Sequence, residues 1–261
     1  MSTTQQPVFS ILHATAHRLP YAWVDTWRAW SKAAARPADH EYVVSVHESD
    51  LEKVKQGVAF IPDSETGIPI VVVAQNQRYC AVDNWNEAAK ASHGKCLILG
   101  ADDFFPPDHW DSALISSLLL PPTDHNVLGI VGFDLDALFS REFIVHIGTD
   151  SPRDETLIVH PIMSRKLYDR WGYFYYPGYE SMYSDDDLTA HAKADPEVQI
   201  INARHIVFDH RHPILGKGTV DEGYRAINRP EAYIAGKAMF EKRVANGFTE
   251  VARRKTIAFC F

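Results

Sequence analysis

The stretch Cys96–Asp111, CLILGADDFFPPDHWD, determines the fold class of this chain. It opens with the apolar run Cys96–Leu99, which is long enough for one buried strand. Gly100 and a pair of prolines further on limit that strand on its carboxyl side. The run is therefore predicted to be a short interior strand of an α/β sheet.

Two adjacent carboxylates, Asp102 and Asp103, follow directly after the predicted strand. In open α/β sheets, ligands bind outside the carboxyl ends of the strands. Carboxylate oxygens at that edge are suited to hold a divalent cation. The alternative interpretation is a solvated acidic turn, with Asp108 capping the helix that follows.

Strands and helices alternate through the first half of the sequence. The predicted strands are Val8–Leu12, Tyr42–Val46, Ile70–Ala74 and Cys96–Leu99. Helices are predicted from Pro20, from Ser49 or Asp50 through Val54, and over Ala81–Ser92. One face of the first helix carries an apolar stripe that we expect in the core, formed by Trp23, Trp27, Trp30 and Ala34. Four βα units in succession predict an α/β fold with a doubly wound, mostly parallel sheet.

The composition is typical of a globular protein, because 46% of the 261 residues are hydrophobic and 23% are charged. This length is sufficient for one large domain with a substantial core. No apolar run approaches the roughly 18 residues of a membrane span, and the N-terminus lacks the pattern of a secretory signal. Three cysteines without metal-ligand spacing favour reduced thiols in the cytoplasm. The net charge of −8 argues against a broad nucleic-acid-binding surface.

The second half of the sequence is less regular. A strand is predicted over Val127–Phe133, whereas Asp134–Asp154 shows no clear period. Gln199–Ala203 and Ile206–Phe208 have the pattern of extended segments. A helix is predicted over Pro230–Asn246, because a proline stands at its start and a glycine follows its end.

An aromatic segment, Trp171–Tyr183, precedes an acidic motif. It reads WGYFYYPGYESMY, and such aromatic density either fills a core or forms a wall on which a sugar or base stacks. The motif SDDDL, Ser184–Leu188, follows directly. Ser184 is a natural N-cap and the helix dipole favours acids in a first turn, so capping is one explanation. Three consecutive acids exceed that need and indicate a second role.

Together these motifs resemble the nucleotide-sugar glycosyltransferases of the GT-A fold, glycosyltransferase family 2 in particular. NEAAKASHGKCLILGADDFFPPDHWD is similar to the family's helix, strand and Asp-x-Asp-type motif. FSILHATAHR and YVVSVHESD resemble its first two strands with their donor-contacting loops. SDDDL resembles the motif that supplies the catalytic base, and FDHRHP the late segment that gives some members a third metal ligand. The likeness covers about residues 8–213.

The resemblance implies a single GT-A-like catalytic domain. Its donor-binding half would span about residues 8–133, its acceptor and catalytic half 134–213, and a flexible loop with the C-terminal helix 214–261. The resemblance also implies a nucleotide-sugar donor, with UDP or GDP as the expected nucleotide. The donor contacts that it implies are Thr15, Arg18, Glu48, Asp50, Asn86 and Asp102.

The resemblance further implies a Mn²⁺ or Mg²⁺ site held by Asp102, Asp103 and His210. An imidazole ligand would favour manganese. The alternative for His210 is a hydrogen-bonded residue at a strand end, and that role is expected of His212. The chain departs from the family pattern at Gly100, where the first acid of the Asp-x-Asp motif would fall. It departs again at His47, where many relatives have an aspartate.

Asp185 is the expected general base, because it begins the acidic motif directly after the aromatic segment, and Asp187 is the reserve. A single displacement assisted by such a base inverts the anomeric configuration. The acceptor is expected beside Trp171, Tyr173, Tyr176 and Tyr179. Arg18 and Lys217 are candidates to clamp the diphosphate, with solvated surface positions as the alternative.

Three functions follow from these interpretations. The first is a glycosyltransferase whose acceptor is a glycan, a small molecule or a hydroxymethylated DNA base, the last supported only by Arg253, Arg254 and Lys255. The second is a nucleotidyltransferase that makes nucleotide-sugars. It usually needs a phosphate loop rich in Gly and Lys, which HATAHRLP does not provide. The third is a noncatalytic protein that binds a sugar or nucleotide on the same fold.

Overall fold

The structure is a computed structural model that describes residues 6–16, 22–119, 135–220 and 222–249. The predicted strand Val127–Phe133 lies outside the described residues, as do Arg18 and the basic residues Arg253, Arg254 and Lys255.

Nine strands are present in the described part of the chain. They are β1 Phe9–Ala14, β2 Glu41–His47, β3 Ile70–Gln75, β4 Cys96–Ala101, β5 Phe104–Phe105, β6 Phe143–Gly148, β7 Pro161–Ser164, β8 Gln199–Val207 and β9 Asp209–His210. Seven of them form one sheet in the order β3-β2-β1-β4-β7-β6-β8, and β5 pairs with β9. Within the seven-stranded sheet only β7 runs antiparallel to its neighbours. The predicted α/β fold with a mostly parallel sheet is confirmed.

Helices connect these strands. They are α1 Ala22–Ala33, α2 Leu51–Ala59, α3 Ala81–Ala91, α4 Trp110–Leu119, α5 Leu135–Phe139, α6 Arg165–Trp171, α7 Ser184–Ala194, α8 Glu222–Ile227 and α9 Pro230–Ala245. Helix α6 shows how local chemistry sets such bounds. The Ser164 hydroxyl accepts a hydrogen bond from the Leu167 N–H at its start, and Gly172, at φ 80°, ends it in the left-handed conformation. Among the described helices, none is both long and apolar enough to cross a bilayer.

Helix α7 begins differently from the prediction. Ser184 is its first residue and not its N-cap, and the Ser184 hydroxyl donates to the Ser181 carbonyl. The cap position belongs to Tyr183, which adopts φ 66° and makes no side-chain cap. The prediction of a Ser184 cap is therefore wrong, because the preceding turn already engages that hydroxyl.

Apolar side chains cover both faces of the sheet. Along β4, Cys96 and Ile98 face one core cluster, whereas Leu97 and Leu99 face the other. This alternation follows from the period of two along a strand. The first cluster contains the buried α1 residues Trp23, Trp27 and Trp30, and Ala34 packs against it, as the stripe predicted. The second contains much of the aromatic segment. The continuous apolar strands are therefore explained by burial on both sides.

The parallel strands bring several chain segments to one edge of the sheet. Strands β1, β2, β3, β4, β6 and β8 run in the same direction, so their carboxyl ends meet there. The residues that follow these ends are the loops after Ala14, His47, Gln75, Ala101, Gly148 and Val207. This edge is where open α/β sheets bind ligands.

Candidate active site at the carboxyl edge of the sheet

A small antiparallel ribbon brings an acid and two histidines together. Phe104 of β5 pairs with His210 of β9, and the Arg211 N–H donates to the Asp103 carbonyl at 2.8 Å. The Nε2 of His210 consequently lies 3.7 Å from Oδ2 of Asp103. One ligand atom each from Asp103, His210 and His212 lies within 4.8 Å of the others. This arrangement can hold a divalent cation.

Electrostatics favours a charged carboxylate in this cluster. Burial acts against ionisation of Asp103, but the contacts with His210, His212 and His160 outweigh it and lower its pKa. His160 is buried, stacks on Phe104 at 4.1 Å between ring centroids, and meets His210 edge-on at 4.5 Å. Burial lowers the pKa of His160 well below its ordinary value, so this imidazole is neutral.

The donor set fits a metal ion. Carboxylate and neutral imidazole are metal ligands, and the buried Nδ1 of His210 has no hydrogen-bond partner among the described residues. The Nδ1 of His212 accepts a hydrogen bond from the Ile214 N–H at 3.3 Å, which fixes the orientation of the ring. The structure therefore places beside Asp103 a second imidazole that the predicted ligand set did not contain.

Asp102 has a different environment from Asp103. Its Oδ1 lies 2.9 Å from Nε2 of His13, and its Oδ2 accepts from the Thr15 hydroxyl at 3.1 Å. The Nδ1 of His13 lies 2.6 Å from the Tyr42 hydroxyl. Because a carboxylate only accepts, Nε2 of His13 carries a proton in this network. Burial raises the pKa of Tyr42 well above its ordinary value, so the phenol is protonated. Asp102 is thus oriented by β1 and lies outside the cluster of ligand atoms.

The glycine at the first position of the acidic motif has a steric reason. A Cβ built on Gly100 would lie 2.9 Å from Cγ2 of Ile11 and 3.2 Å from the Leu12 carbonyl oxygen. Strand β1 therefore packs too closely for an aspartate at this position. The departure from the family pattern follows from this contact.

The predicted donor contacts after β2 are both acidic, but they differ in exposure. Glu48 is exposed, whereas Asp50 is buried and lies 2.9 Å from Nζ of Lys53. The Tyr79 hydroxyl donates to Oδ2 of Asp50 at 2.6 Å, and its ring centroid lies 5.3 Å from that of His47. The Tyr79 ring is 57% exposed at the same edge of the sheet. Sequence reasoning missed Tyr79, because a lone tyrosine in a loop carries no pattern.

Asn86 has a structural environment that the resemblance did not indicate. Its Oδ1 accepts from the backbone N–H groups of Phe174 and Tyr175, and its Nδ2 donates to the Tyr175 carbonyl. All of these partners are backbone groups of the aromatic segment. The Asn86 amide thus joins that segment to α3, and its contact with the donor stays a prediction.

Asp185, at the start of α7, is a half-buried acid with a raised pKa. Its Oδ2 lies 3.3 Å from Nη2 of Arg153, which also lies 3.0 Å from Oδ2 of Asp186. Burial is the main reason that the pKa of Asp185 rises to about 6, helped by the charge of Asp186 and opposed by Arg153. A carboxylate with such a pKa can take up a proton near neutral pH.

Asp187 is buried and fully engaged. Its Oδ1 accepts from Nε of Arg243 at 2.6 Å and from the Tyr179 hydroxyl at 3.0 Å. Arg243 is 0% exposed, so the pair joins α7 to α9 inside the protein. This burial favours Asp185 over Asp187 as the base, and the reserve role of Asp187 stays a prediction.

Most of the aromatic segment fills the core. Trp171, Tyr173 and Tyr179 are buried, and the Trp171 ring stacks on His191 at 4.0 Å. Tyr176 is half-buried and lies over the Arg243 guanidinium at 3.6 Å. Of the two interpretations of this segment, the core is therefore correct for the three buried rings. Acceptor contact by this segment stays a prediction, and the half-buried Tyr176 is the least enclosed of the four rings.

Lys217 lies in an ion network and not in an isolated surface position. Its Nζ pairs with Oδ2 of Asp150 and lies 2.8 Å from Oδ1 of Asp209. Asp209 directly precedes His210 in β9. The lysine therefore connects the loop after β6 to the segment that carries the metal-binding candidates.

Comparison with solved structures identifies the fold. The mannosyltransferase PcManGT from Pyrobaculum calidifontis, in complex with GDP-Man and Mn²⁺, superposes with a TM-score of 0.52 at 16% identity. The match covers 93% of this chain and 76% of that one. Residues 1–349 of S. aureus TarS, in complex with UDP-GlcNAc, superpose with a TM-score of 0.61 at 12% identity, covering 94% of this chain and 68% of that one.

The match to a longer form of TarS covers 94% of this chain but only 44% of that one. No protein-family model matches the sequence, and none of the curated proteins matches it. At these low identities the likeness concerns the backbone fold alone. The chain has the fold of the GT-A glycosyltransferases, as its sequence motifs predicted.

Proposed function

We propose that this protein is a glycosyltransferase that moves a sugar from a UDP- or GDP-linked donor to a hydroxyl acceptor. One observation carries the proposal. The carboxyl edge of a GT-A sheet collects the cluster of Asp103, His210 and His212, and ion pairs connect that cluster through the loop after β6 to Asp185. The nucleotide-sugars bound to PcManGT and TarS support this class of donor.

The metal cluster suits manganese better than magnesium. Mg²⁺ prefers oxygen ligands only, whereas Mn²⁺ accepts carboxylate and imidazole together. Two imidazoles and the Asp103 carboxylate therefore favour Mn²⁺, and the Mn²⁺ in PcManGT is consistent with this choice. When bound, the ion supplies a Lewis acid that neutralises the charge developing on the departing diphosphate.

Asp185 is the proposed general base. Its carboxylate takes the proton of the acceptor hydroxyl while the acceptor oxygen bonds to the anomeric carbon. The bond from that carbon to the diphosphate oxygen breaks in the same step, so the configuration inverts. Because the pKa of Asp185 is about 6, the side chain is mostly ionised at neutral pH and ready to accept the proton.

Donor contacts are proposed at the ends of β1, β2 and β3. Tyr79 offers an exposed ring face to a nucleobase, and the exposed carboxylate of Glu48 offers an acceptor to ribose hydroxyls. Asp50 orients Tyr79 by accepting a hydrogen bond from its hydroxyl. Thr15 and Asp102, which are hydrogen-bonded to each other, complete this side of the cleft.

The proposed compartment is the cytoplasm. Cys80 and Cys96 are free thiols, and burial raises the pKa of Cys80 to about 11, which keeps it protonated and unreactive. Free thiols persist in reducing compartments.

The decisive experiment measures release of nucleoside diphosphate from a panel of UDP- and GDP-sugars, with Mn²⁺ or Mg²⁺ and a mixture of hydroxyl acceptors. Release that depends on the acceptor supports the proposal. Binding of a nucleotide-sugar without release supports a noncatalytic binding protein. Pyrophosphate released from a nucleoside triphosphate and a sugar phosphate supports a nucleotidyltransferase, and either of these outcomes overturns the proposal.

A further inference from the structure

A cavity of about 570 Å³ opens at the carboxyl edge of the sheet, beside the proposed active site. It is lined by residues of the 148–155 loop, which follows β6, and by Arg204 and His205 of β8. Small-molecule sites in proteins typically enclose about 300–1,000 Å³. The volume therefore fits a small molecule or the terminal sugar of a glycan.

A bulge between β6 and β8 creates the cavity. Ile147 pairs with Ala203, but the next residue, Gly148, pairs with Val207, so three residues of β8 leave the ladder. A Cβ on Gly148 would lie 2.2 Å from the Arg204 carbonyl oxygen, so only glycine allows this approach. The bulge turns Arg204 and its neighbour outward, where both are exposed and line the cavity.

The cavity adjoins the metal-binding candidates on one side. Asp150, which lines the cavity, pairs with Lys217, and Lys217 in turn lies 2.8 Å from Asp209. Asp209 is the residue before His210. This ion network therefore connects the lining of the cavity to the strand that carries His210.

The proposed base adjoins the same loop on the other side. Arg153, within the 148–155 loop, lies 3.3 Å from Asp185. The backbone N–H of Ile158 donates to the Thr189 hydroxyl at 2.9 Å, which holds the chain just beyond the loop against α7. The cavity thus lies between the group that would bind the leaving diphosphate and the group that would take the acceptor's proton.

We infer that this cavity is the acceptor subsite, and that it takes a neutral polyhydroxyl compound. The inference rests on the proposed function. In the described part of the chain, two of the cationic groups that border the cavity are paired with carboxylates. Arg153 pairs with two aspartates and Lys217 pairs with two others, whereas Arg204 is exposed and donates one hydrogen bond, to the Asp154 carbonyl at 3.3 Å.

The polar groups of the lining suit hydroxyls better than phosphates. Ser151 supplies a hydroxyl group, and Asp150 and Glu155 supply carboxylates, whereas Thr149 and the buried Asp154 are hydrogen-bonded to each other. Carboxylates accept hydrogen bonds from sugar hydroxyls and repel anions. Recognition of phosphate instead needs several available arginine or lysine side chains, and the lining contains one such group, Arg204, beside these carboxylates. A phosphorylated polyol or DNA is therefore a poor match for this cavity.

The test fills the cavity without touching the metal cluster or Asp185. Glu155→Trp places a large ring in the cavity from the loop after β6, and His205→Trp does so from β8, where His205 is exposed. Ser140→Trp is the matched control, because Ser140 is exposed and lies before β6, at the opposite edge of the sheet. Circular dichroism and thermal melting establish that each variant is folded.

The assay uses whichever UDP- or GDP-sugar the wild type turns over, with Mn²⁺. The acceptors are methyl hexosides and disaccharides, their phosphorylated counterparts, and hydroxymethylated duplex DNA. We expect wild type to use the neutral acceptors at least about tenfold better than the phosphorylated ones. We expect each folded cavity variant to lose at least about tenfold in transfer with unchanged affinity for the nucleoside diphosphate. Ser140→Trp should have the transfer rate and the nucleoside diphosphate affinity of wild type.

Two results overturn the inference while leaving the proposed function intact. One is transfer by both folded cavity variants at the wild-type rate. The other is a preference of wild type for phosphorylated acceptors or DNA. If wild type releases no nucleoside diphosphate with any donor and acceptor, the proposed function itself fails, and the acceptor subsite fails with it.

Discussion

Nη2 of Arg153 lies 3.3 Å from Oδ2 of Asp185, so the proposed general base is paired with a cation from the loop that lines the cavity. Arg153 is about half exposed, whereas the Asp185 side chain is 15% exposed. The pair therefore places a solvated positive charge at the opening of a half-buried carboxylate. Its effect is to oppose the rise in the pKa of Asp185 that burial causes.

Removal of this charge should change the pH dependence of transfer. In Arg153→Met, burial and Asp186 act on Asp185 unopposed, so the pKa of Asp185 rises further above its wild-type value of about 6. The base must be ionised, so activity falls as the pH drops through that pKa. We expect kcat/KM at about pH 5.5 to fall by about threefold to tenfold relative to wild type, with little change at about pH 8.

Arg153→Lys preserves the positive charge, so it should restore most of the wild-type kcat/KM at about pH 5.5. Arg36→Met is a matched control, because Arg36 is exposed and pairs only with the nearby Asp39 among the ion pairs found. If kcat/KM of Arg153→Met falls at the same acidic pH as that of wild type, Arg153 does not influence the protonation of the base.

Asp185→Asn should abolish transfer and preserve donor binding. The amide has nearly the same shape as the carboxylate but cannot take up the acceptor proton. General-base catalysis contributes about 10²- to 10⁴-fold, so we expect kcat to fall by that factor. Calorimetric titration with the nucleoside diphosphate should give the wild-type dissociation constant. Asp186→Asn is the neighbouring control, and a loss of activity there with normal turnover in Asp185→Asn would transfer the role to Asp186.

The metal site yields a prediction that distinguishes two candidate ligand sets. Both contain Asp103 and His210, and the third ligand is either His212 or Asp102. Loss of an outer-shell partner already costs about 10- to 100-fold in metal affinity, so we expect His212→Ala to weaken Mn²⁺ binding by at least about tenfold. Asp102→Ala should change the affinity less, because its carboxylate is bound by His13 and Thr15. Electron paramagnetic resonance of free Mn²⁺ measures the Mn²⁺ affinity of both variants without any turnover. The opposite ranking would restore Asp102 as the ligand in place of His212.

The strands of the first half could be predicted because their signal is local. β4 contains the uninterrupted apolar run Cys96–Leu99, and β2 is apolar over Tyr42–Val46 apart from Ser45; burial on both faces explains such runs. β6 lies in the region without a clear period, where His146 interrupts the run Phe143–Gly148. Its place in the sheet depends on pairing with β7 and β8, which are distant in sequence.

The family resemblance indicated Asp103 and His210, but it did not indicate His212 as a ligand or the short strands that bring these residues together. Asp103 and His210 meet through two strands of only two residues each, and no local pattern marks such short strands. The same limit applies to the aromatic segment. Its density was compatible with a core, the favoured interpretation, or with a stacking wall. Arg243 contributes to the packed arrangement, since its guanidinium lies over Tyr176 and donates to the Tyr173 hydroxyl. That arginine lies in a different helix with no distinguishing motif.

Arg243→Met should destabilise the fold, because it leaves the Asp187 carboxylate buried, with the Tyr179 hydroxyl as its remaining side-chain donor in the described part of the chain. Removing one partner of a buried ion pair costs about 3–5 kcal/mol, so we expect a clearly lower midpoint in urea unfolding. Lys237→Met, an exposed position on the same helix, should change the midpoint little. The double variant Arg243→Met with Asp187→Asn should recover part of the loss, since it removes the uncompensated charge. Equal midpoints for Arg243→Met and Lys237→Met would show that this pair does not stabilise the packing of α9 against α7.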